Sequence, residues 1–259
     1  GSQSQSTFEI TSSHFNKFIP VFLKINSLPL EQNSLIPSNH RFVFNNSSFS
    51  NFLSSAVFVS EIPIQAANCL RLQTFRQNRT NILDQNGLCS FIRKVVFTNF
   101  TANPAVLYLN SSNYAMYMET TNFTACTLCM YIINGSIDIE SVIAQNCTAT
   151  SETPSNTTSS ILLSSADDYS IPDTEPYHIA SFLILENSRN NNLTSVVASD
   201  CIPSAILLNY SSAVFSKLSV ITQHRKVDDG TAQIYLANCA MVEFTNSMFS
   251  DESEGSLGN

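Results

Sequence analysis

Five segments of the chain share one template, apolar-x-(small or polar)-x-x-anchor-x-x-(Asn, Cys or Phe), and their anchors recur at a nearly constant interval. The copies read Phe44-x-Asn46-x-x-Phe49-x-x-Phe52, Leu70-x-Leu72-x-x-Phe75-x-x-Asn78, Val95-x-Phe97-x-x-Phe100-x-x-Asn103, Met118-x-Thr120-x-x-Phe123-x-x-Cys126 and Ile139-x-Ser141-x-x-Ala144-x-x-Cys147. The anchors at 49, 75, 100, 123 and 144 follow one another at steps of 26, 25, 23 and 21 residues. A period of about 20 to 50 residues marks stacked units, each too small to bury its own apolar face.

Each copy opens on a period-2 apolar pair, such as Val95 and Phe97, which is a strand pattern. A second apolar run lies between copies: Val57–Val59, Val106–Leu109 and Met130–Ile133. β-branched and aromatic residues dominate these runs, while Asn, Ser and Thr supply the corners. The expected fold is all-β, a parallel β-helix solenoid of roughly eight to ten coils of 20–26 residues, each strand pairing with its counterpart one coil away. A leucine-rich horseshoe would need Leu at offsets that Phe, Val and Ile occupy here, and an ordinary β-sandwich is the remaining rival. Ile10-x-Ser12-x-x-Phe15-x-x-Phe18 and Phe244-x-Asn246-x-x-Phe249-x-x-Glu252 extend the pattern outward, and Phe182-x-Ile184-x-x-Asn187-x-x-Asn190 is a weaker copy. Polar, proline-containing stretches at 26–40 and 149–178 read as insertions projecting from the scaffold. The expected layout is a cloning remnant and disordered start over 1–6, one domain over 7–250 and a disordered tail over 251–259.

With 12% of residues charged and 43% hydrophobic, and with Asn, Ser and Thr making up a third of the chain, the composition suits an apolar bore with neutral polar corners. The net charge of −8 argues against nucleic acid and anionic membrane surfaces as partners. No apolar stretch approaches the length of a membrane-spanning helix, so no membrane insertion is expected within this segment. Eleven Asn-x-Ser/Thr sequons (Asn45, Asn46, Asn78, Asn99, Asn110, Asn122, Asn134, Asn146, Asn156, Asn192 and Asn209) point to a secreted or cell-surface glycoprotein. Several fall at template turns, where Asn also has a structural reason to stand.

Seven cysteines occur, at positions 69, 89, 126, 129, 147, 201 and 239. Cys126-x-x-Cys129 has the spacing of half a zinc site, but no second close pair exists and His14, His40, His178 and His224 are scattered. No strand-to-helix setting supports a redox motif either, so neither a metal nor a cofactor is expected. Cys126 and Cys147 share a template position, which should stack them about one strand spacing apart, within the Cα range of a disulfide. Cys69 and Cys89 are also about one coil apart. These two pairs are the disulfide candidates; stacked buried thiols behaving as small hydrophobes are the alternative. At the same template position Asn78 and Asn103 are expected to form a hydrogen-bonded column, and Phe75, Phe100 and Phe123 to fill the bore.

No residues stand out as catalytic. The acidic candidates Asp167, Asp168, Asp173, Glu175, Asp228 and Asp229 sit in loop-like sequence rather than at recurring strand positions. Gly-x-Ser-x-Gly, His-Glu-x-x-His and phosphate-binding glycine loops are missing.

The units Phe42-Val-Phe-Asn45 and Phe75-Arg-Gln-Asn78, with relaxed forms at Ile143–Asn146 and Ile184–Asn187, resemble the repeats of polymorphic outer-membrane proteins of chlamydiae and of similar surface proteins of the protist Trichomonas. The resemblance covers residues 42–147 well and 180–250 poorly, and the companion Gly-Gly-Ala motif of that family is absent. It implies a right-handed β-helix ectodomain in adhesion to host or neighbouring cells. The expected function is therefore an extracellular adhesion or interaction module whose partner is a cell-surface protein or glycan. A polysaccharide-active enzyme or lectin-like binder, and a purely structural stalk, are the alternatives. Carboxylates lined up on adjacent coils would favour the enzyme, and an aromatic or neutral polar strip without them would favour binding.

Overall fold

A computed structural model describes residues 5–17, 21–26, 39–60, 90–102, 104–110, 115–149, 180–222 and 233–251. Among these the chain forms twenty strands and no helix. The first nine are β1 (Gln5–Thr11), β2 (His14–Asn16), β3 (Leu23–Asn26), β4 (Asn39–Asn45), β5 (Ser48–Phe52), β6 (Val57–Ser60), β7 (Ser90–Arg93), β8 (Val96–Phe100) and β9 (Leu107–Asn110). Then come β10 (Ala115–Cys126), β11 (Met130–Ile133), β12 (Ser136–Gln145), β13 (Ala180–Glu186), β14 (Asn191–Ser199) and β15 (Ser204–Asn209). The last are β16 (Ser212–Ser216), β17 (Ser219–Thr222), β18 (Ile234–Ala237), β19 (Met241–Thr245) and β20 (Met248–Asp251). Strand β1 begins at Gln5, inside the stretch read from sequence as a disordered start.

The strands make two sheets. The larger has thirteen strands along the path β1-β4-β7-β10-β12-β14-β16-β19, with β2, β5, β8, β17 and β20 completing its levels; the smaller runs β18-β15-β13-β11-β9-β6-β3. Every ladder between named strands is parallel. An antiparallel sandwich is thereby excluded for the described residues. The chain alternates between the sheets, entering the larger, crossing to the smaller, and returning to the larger one strand further along.

Register along the larger sheet advances by 34, 48, 26, 21, 54, 22 and 29 residues per level. The steps of 26, 21 and 22 match the template interval, whereas those of 29, 34, 48 and 54 exceed it and contain residues outside the described set. Because β12 bonds directly to β14, and β11 to β13, one level and not two separates residue 147 from 180.

The register also corrects two template copies. Phe49 pairs with Phe97, and Phe97 with Phe123, so the third copy reads Ile92-x-Lys94-x-x-Phe97-x-x-Phe100, three residues earlier than the sequence reading placed it. Phe182 and Ile184 belong to β13 of the smaller sheet, and the next anchor after Ala144 is Ala198. The copy anchored at Phe75 lies outside the described residues. The Phe column is accordingly Phe15–Phe49–Phe97–Phe123, with centroids 5.1, 5.3 and 5.0 Å apart and planes within 18° of parallel. Phe100 stacks instead on Phe52, at 4.8 Å.

Inward residues of both sheets meet in one buried cluster: Phe44, Ile92, Met118 and Ile139 from the larger sheet, and Val57, Leu107, Met130 and Leu185 from the smaller. Burial of each large side chain contributes about 1.5–3 kcal/mol. The corners are set by backbone conformation. Nineteen non-glycine residues of the described set have φ between 47° and 60°, and the register sorts eighteen of them into three columns. The template's third position supplies Ser12, Asn46, Lys94, Thr120, Ser141, Ser195, Lys217 and Asn246. A second column holds Lys17, Asn51, Asn99, Ala125, Asn146 and Asp200, and a third holds Asn134, Asn187, Tyr210 and Asn238.

Candidate functional surface

Alternation along the parallel strands sends every second residue outward, and the direct pairing of levels lines those residues into columns. On the larger sheet one column runs Phe91, Tyr117, Asp138, Asn192, and its neighbour two residues on runs Arg93, Glu119, Glu140, Thr194. Phe91 and Tyr117 stack with centroids 5.2 Å apart and planes 13° from parallel. The Tyr117 hydroxyl donates to Oε2 of Glu140 on the next level at 3.2 Å, and Arg93 Nε lies 3.5 Å from Glu119 Oε2. Burial, then the charges of Glu119 and Glu140, pushes the Tyr117 phenol well above its ordinary value, so it stays a hydrogen-bond donor. Asp138 is almost wholly buried beside it.

The smaller sheet has a similar outward column: Lys24, Phe58, Tyr108, Tyr131, Ile184, Leu207, Tyr235. The Phe58 and Tyr108 rings stack at 4.7 Å, and Lys24 Nζ sits 5.6 Å from the Phe58 centroid. The Tyr131 hydroxyl donates to Oε2 of the buried Glu186 at 2.8 Å; burial first, then the Glu186 charge, raises its pKa.

Each outer face thus carries aromatic rings beside a phenol bonded to a carboxylate one level away. Tyr117 and Tyr108 are themselves buried, so the groups open to a ligand are the exposed Arg93 and the half-buried Phe91, Glu119 and Glu140, whose ring and carboxylates can meet a sugar face and its hydroxyls. These residues were missed in the sequence, although the signal was present. Glu119 and Glu140 follow the opening apolar residue of successive template copies, and Arg93 does the same in the corrected third copy. The acidic residues singled out from sequence (Asp167, Asp168, Asp173, Glu175, Asp228 and Asp229) and both candidate insertions, apart from their edge residues, lie outside the described residues.

Of the sequons, Asn78 and Asn156 lie outside the described residues. Asn46, Asn99, Asn122, Asn134 and Asn146 are exposed, while Asn45, Asn110, Asn192 and Asn209 are half-buried. Asn46, Asn99, Asn134 and Asn146 stand at left-handed corners, so backbone geometry accounts for Asn there independently of glycosylation. Asn103 and Asn78, the expected amide column, are not described. A column does form at the second corner, where Asn51 donates to Asn16 at 2.8 Å and Asn99 to Asn51 at 2.6 Å.

Cys126, Cys147 and Cys201 fall in register on successive levels, as expected of the first two, but each is a free thiol. No disulfide joins described residues, and Cys69 and Cys89 lie outside them. Cys129, immediately before β11, reaches the same cluster, with its Sγ 3.3 Å from that of Cys147. No group of three or more His, Cys, Asp or Glu residues in the described set is arranged to hold a metal ion, and no helix there is long and apolar enough to cross a membrane. No protein-family model matches the chain, and a search of curated proteins returned no match.

Proposed function

We propose that the chain is a parallel β-helix displayed outside the cell and acting as an adhesion or interaction module. The alternation of the chain between two parallel sheets, with one core between them, supports the solenoid reading. The observation that carries the function is the outward column of Arg93, Glu119 and Glu140 on β7, β10 and β12, held in place by the half-buried Phe91 and the buried Tyr117 stacked on it. Recognition needs groups held in fixed relation, and a ladder of directly paired strands supplies that without a loop to order on binding. The ligand class is a cell-surface glycan or a glycosylated protein. The resemblance to chlamydial and Trichomonas surface proteins, and the exposed sequons, agree with a surface location.

A second reading is favoured by Glu119 and Glu140 standing on adjacent levels, since two facing carboxylates are the equipment of glycoside hydrolysis. Binding is preferred because Glu119 faces Arg93 and Glu140 accepts from Tyr117, so both carboxylates are held by protein partners. The test is a Glu119→Gln/Glu140→Gln variant, compared with the parent chain for retention on immobilised glycans and for reducing-end release from polysaccharides. Weakening of retention by about tenfold, with no release by either protein, supports recognition at this face. Release by the parent that the variant loses replaces the adhesion reading with an enzymatic one, and unchanged retention removes the face from the account.

A further inference from the structure

Four of the seven cysteines converge inside the protein. Cys126, Cys147 and Cys201 continue the column begun by Phe52 and Phe100, so three successive levels present a thiol at one inward position. All three are buried, and Cys129 is wholly so. The levels are tied together at this point by backbone bonds, from Thr148 N–H to Cys126 C=O at 2.9 Å and from Ile202 N–H to Cys147 C=O at 2.9 Å.

In-register neighbours on parallel strands carry nearly parallel Cα–Cβ bonds, so their Cβ atoms stay about one strand spacing apart, roughly 4.8 Å. A disulfide needs Cβ atoms about 3.5–4.5 Å apart, converging on each other. Column partners Cys126 and Cys147, or Cys147 and Cys201, therefore meet the Cα requirement and miss the Cβ one. Cys129 differs. It follows Thr127 and Leu128, immediately precedes β11 of the other sheet, and approaches Cys147 across the interior rather than along the column, with sulphurs 3.3 Å apart. We propose that Cys129 and Cys147 form a disulfide that ties the start of the smaller sheet at one level to the end of the larger sheet at the next, leaving Cys126 and Cys201 as buried thiols.

In this reaction the two thiols give up two protons and two electrons as the S–S bond forms. A disulfide oxidant such as oxidised glutathione accepts them and leaves as two thiols. Because both sulphurs are wholly buried in the folded chain, the bond forms while the levels are docking, before the interior closes. In a chain folded without the bridge, burial, then hydrogen bonding to Cys126 and Cys147, holds the Cys129 thiol well above its ordinary pKa, so a bond missed during docking does not form afterwards. The inference rests on the extracellular location in the proposed function, which supplies the oxidising setting, and not on adhesion, so the mapping below is read without any binding.

The test is to refold the full chain from denaturant and reductant into a mixture of oxidised and reduced glutathione. Remaining thiols are alkylated under denaturing conditions and the bridged peptides mapped. No Lys or Arg lies between Lys94 and Arg189, so chymotrypsin, which cuts after Leu128 and Tyr131, is the protease to use. The expected result is a peptide linking Cys129 to Cys147, with Cys126 and Cys201 alkylated. As a second arm, a Cys126→Ser variant should keep the bridge and Cys129→Ser should lose it. Any other partner for Cys129 or Cys147, or alkylation of all four, overturns the proposal. The mapping on the unaltered chain decides the matter even where a variant fails to fold.

Discussion

The corners of this protein are made one residue at a time, and mostly without glycine. A left-handed conformation costs a residue with a Cβ about 1–2 kcal/mol, less for Asn, whose short side chain bonds locally. The whole chain has six glycines, while nineteen described non-glycine residues adopt this conformation. Thr120 is the costliest occupant of its column, because its branched Cβ crowds the backbone at φ 51°. Thr120→Asn should raise stability by about 0.5–1 kcal/mol in urea titration, and no change would mean that the corner is relaxed. A second prediction concerns Tyr131. Its folded pKa is raised above the ordinary 10, so the stability it contributes is fully present below pH 10 and is lost as pH rises through the folded value. The urea midpoint should fall progressively above pH 10, less steeply in Tyr131→Phe. At neutral pH that variant should cost about 1.5–3 kcal/mol, because the buried Glu186 loses its phenol donor.

At the scale of strands, what stabilises one level is the level beside it. Phe97 lies between Phe49 and Phe123 with rings nearly parallel to both, and is wholly buried. Phe97→Ala should cost about 3–5 kcal/mol by thermal or urea unfolding. A loss below about 1 kcal/mol would contradict the register, since only a ring outside the column could be removed so cheaply. The same column shows how far the sequence could be read. The opening apolar residue, the polar corner and the anchor of the copies at 49, 123 and 144 are where the template put them, because burial and a left-handed corner impose those residue types. The third copy slipped by three residues because Phe97 and Phe100 are both inward and three apart, so two frames satisfy the template. Lys94 hid the true frame, since a lysine with its side chain in solvent serves at a left-handed corner as Ser or Thr does. The copy anchored at 187 failed because strands of the smaller sheet carry the same alternation as those of the larger, and periodicity alone does not say which sheet a strand joins.

Over the whole molecule, one core joins two parallel sheets, so the scaffold presents its outward residues as fixed columns. The all-β character was readable from short apolar runs separated by Asn, Ser and Thr. The candidate surface was missed although its steps, 26 and 21 residues, are template intervals, because the slipped third copy put Arg93 out of frame and the template tracks inward residues and corners rather than outward ones. Glu119 and Glu140 become neighbours only when two copies are superposed. With a net charge of −8, nonspecific attraction to anionic cell surfaces contributes little, so retention on cells must come from specific contacts. The most direct test is equilibrium binding of the glycosylated chain to a panel of intact cells, before and after enzymatic removal of their surface glycans. Saturable binding to at least one cell type, falling or disappearing on glycan removal, is the expected result. Linear, non-saturating retention on every cell type would contradict it.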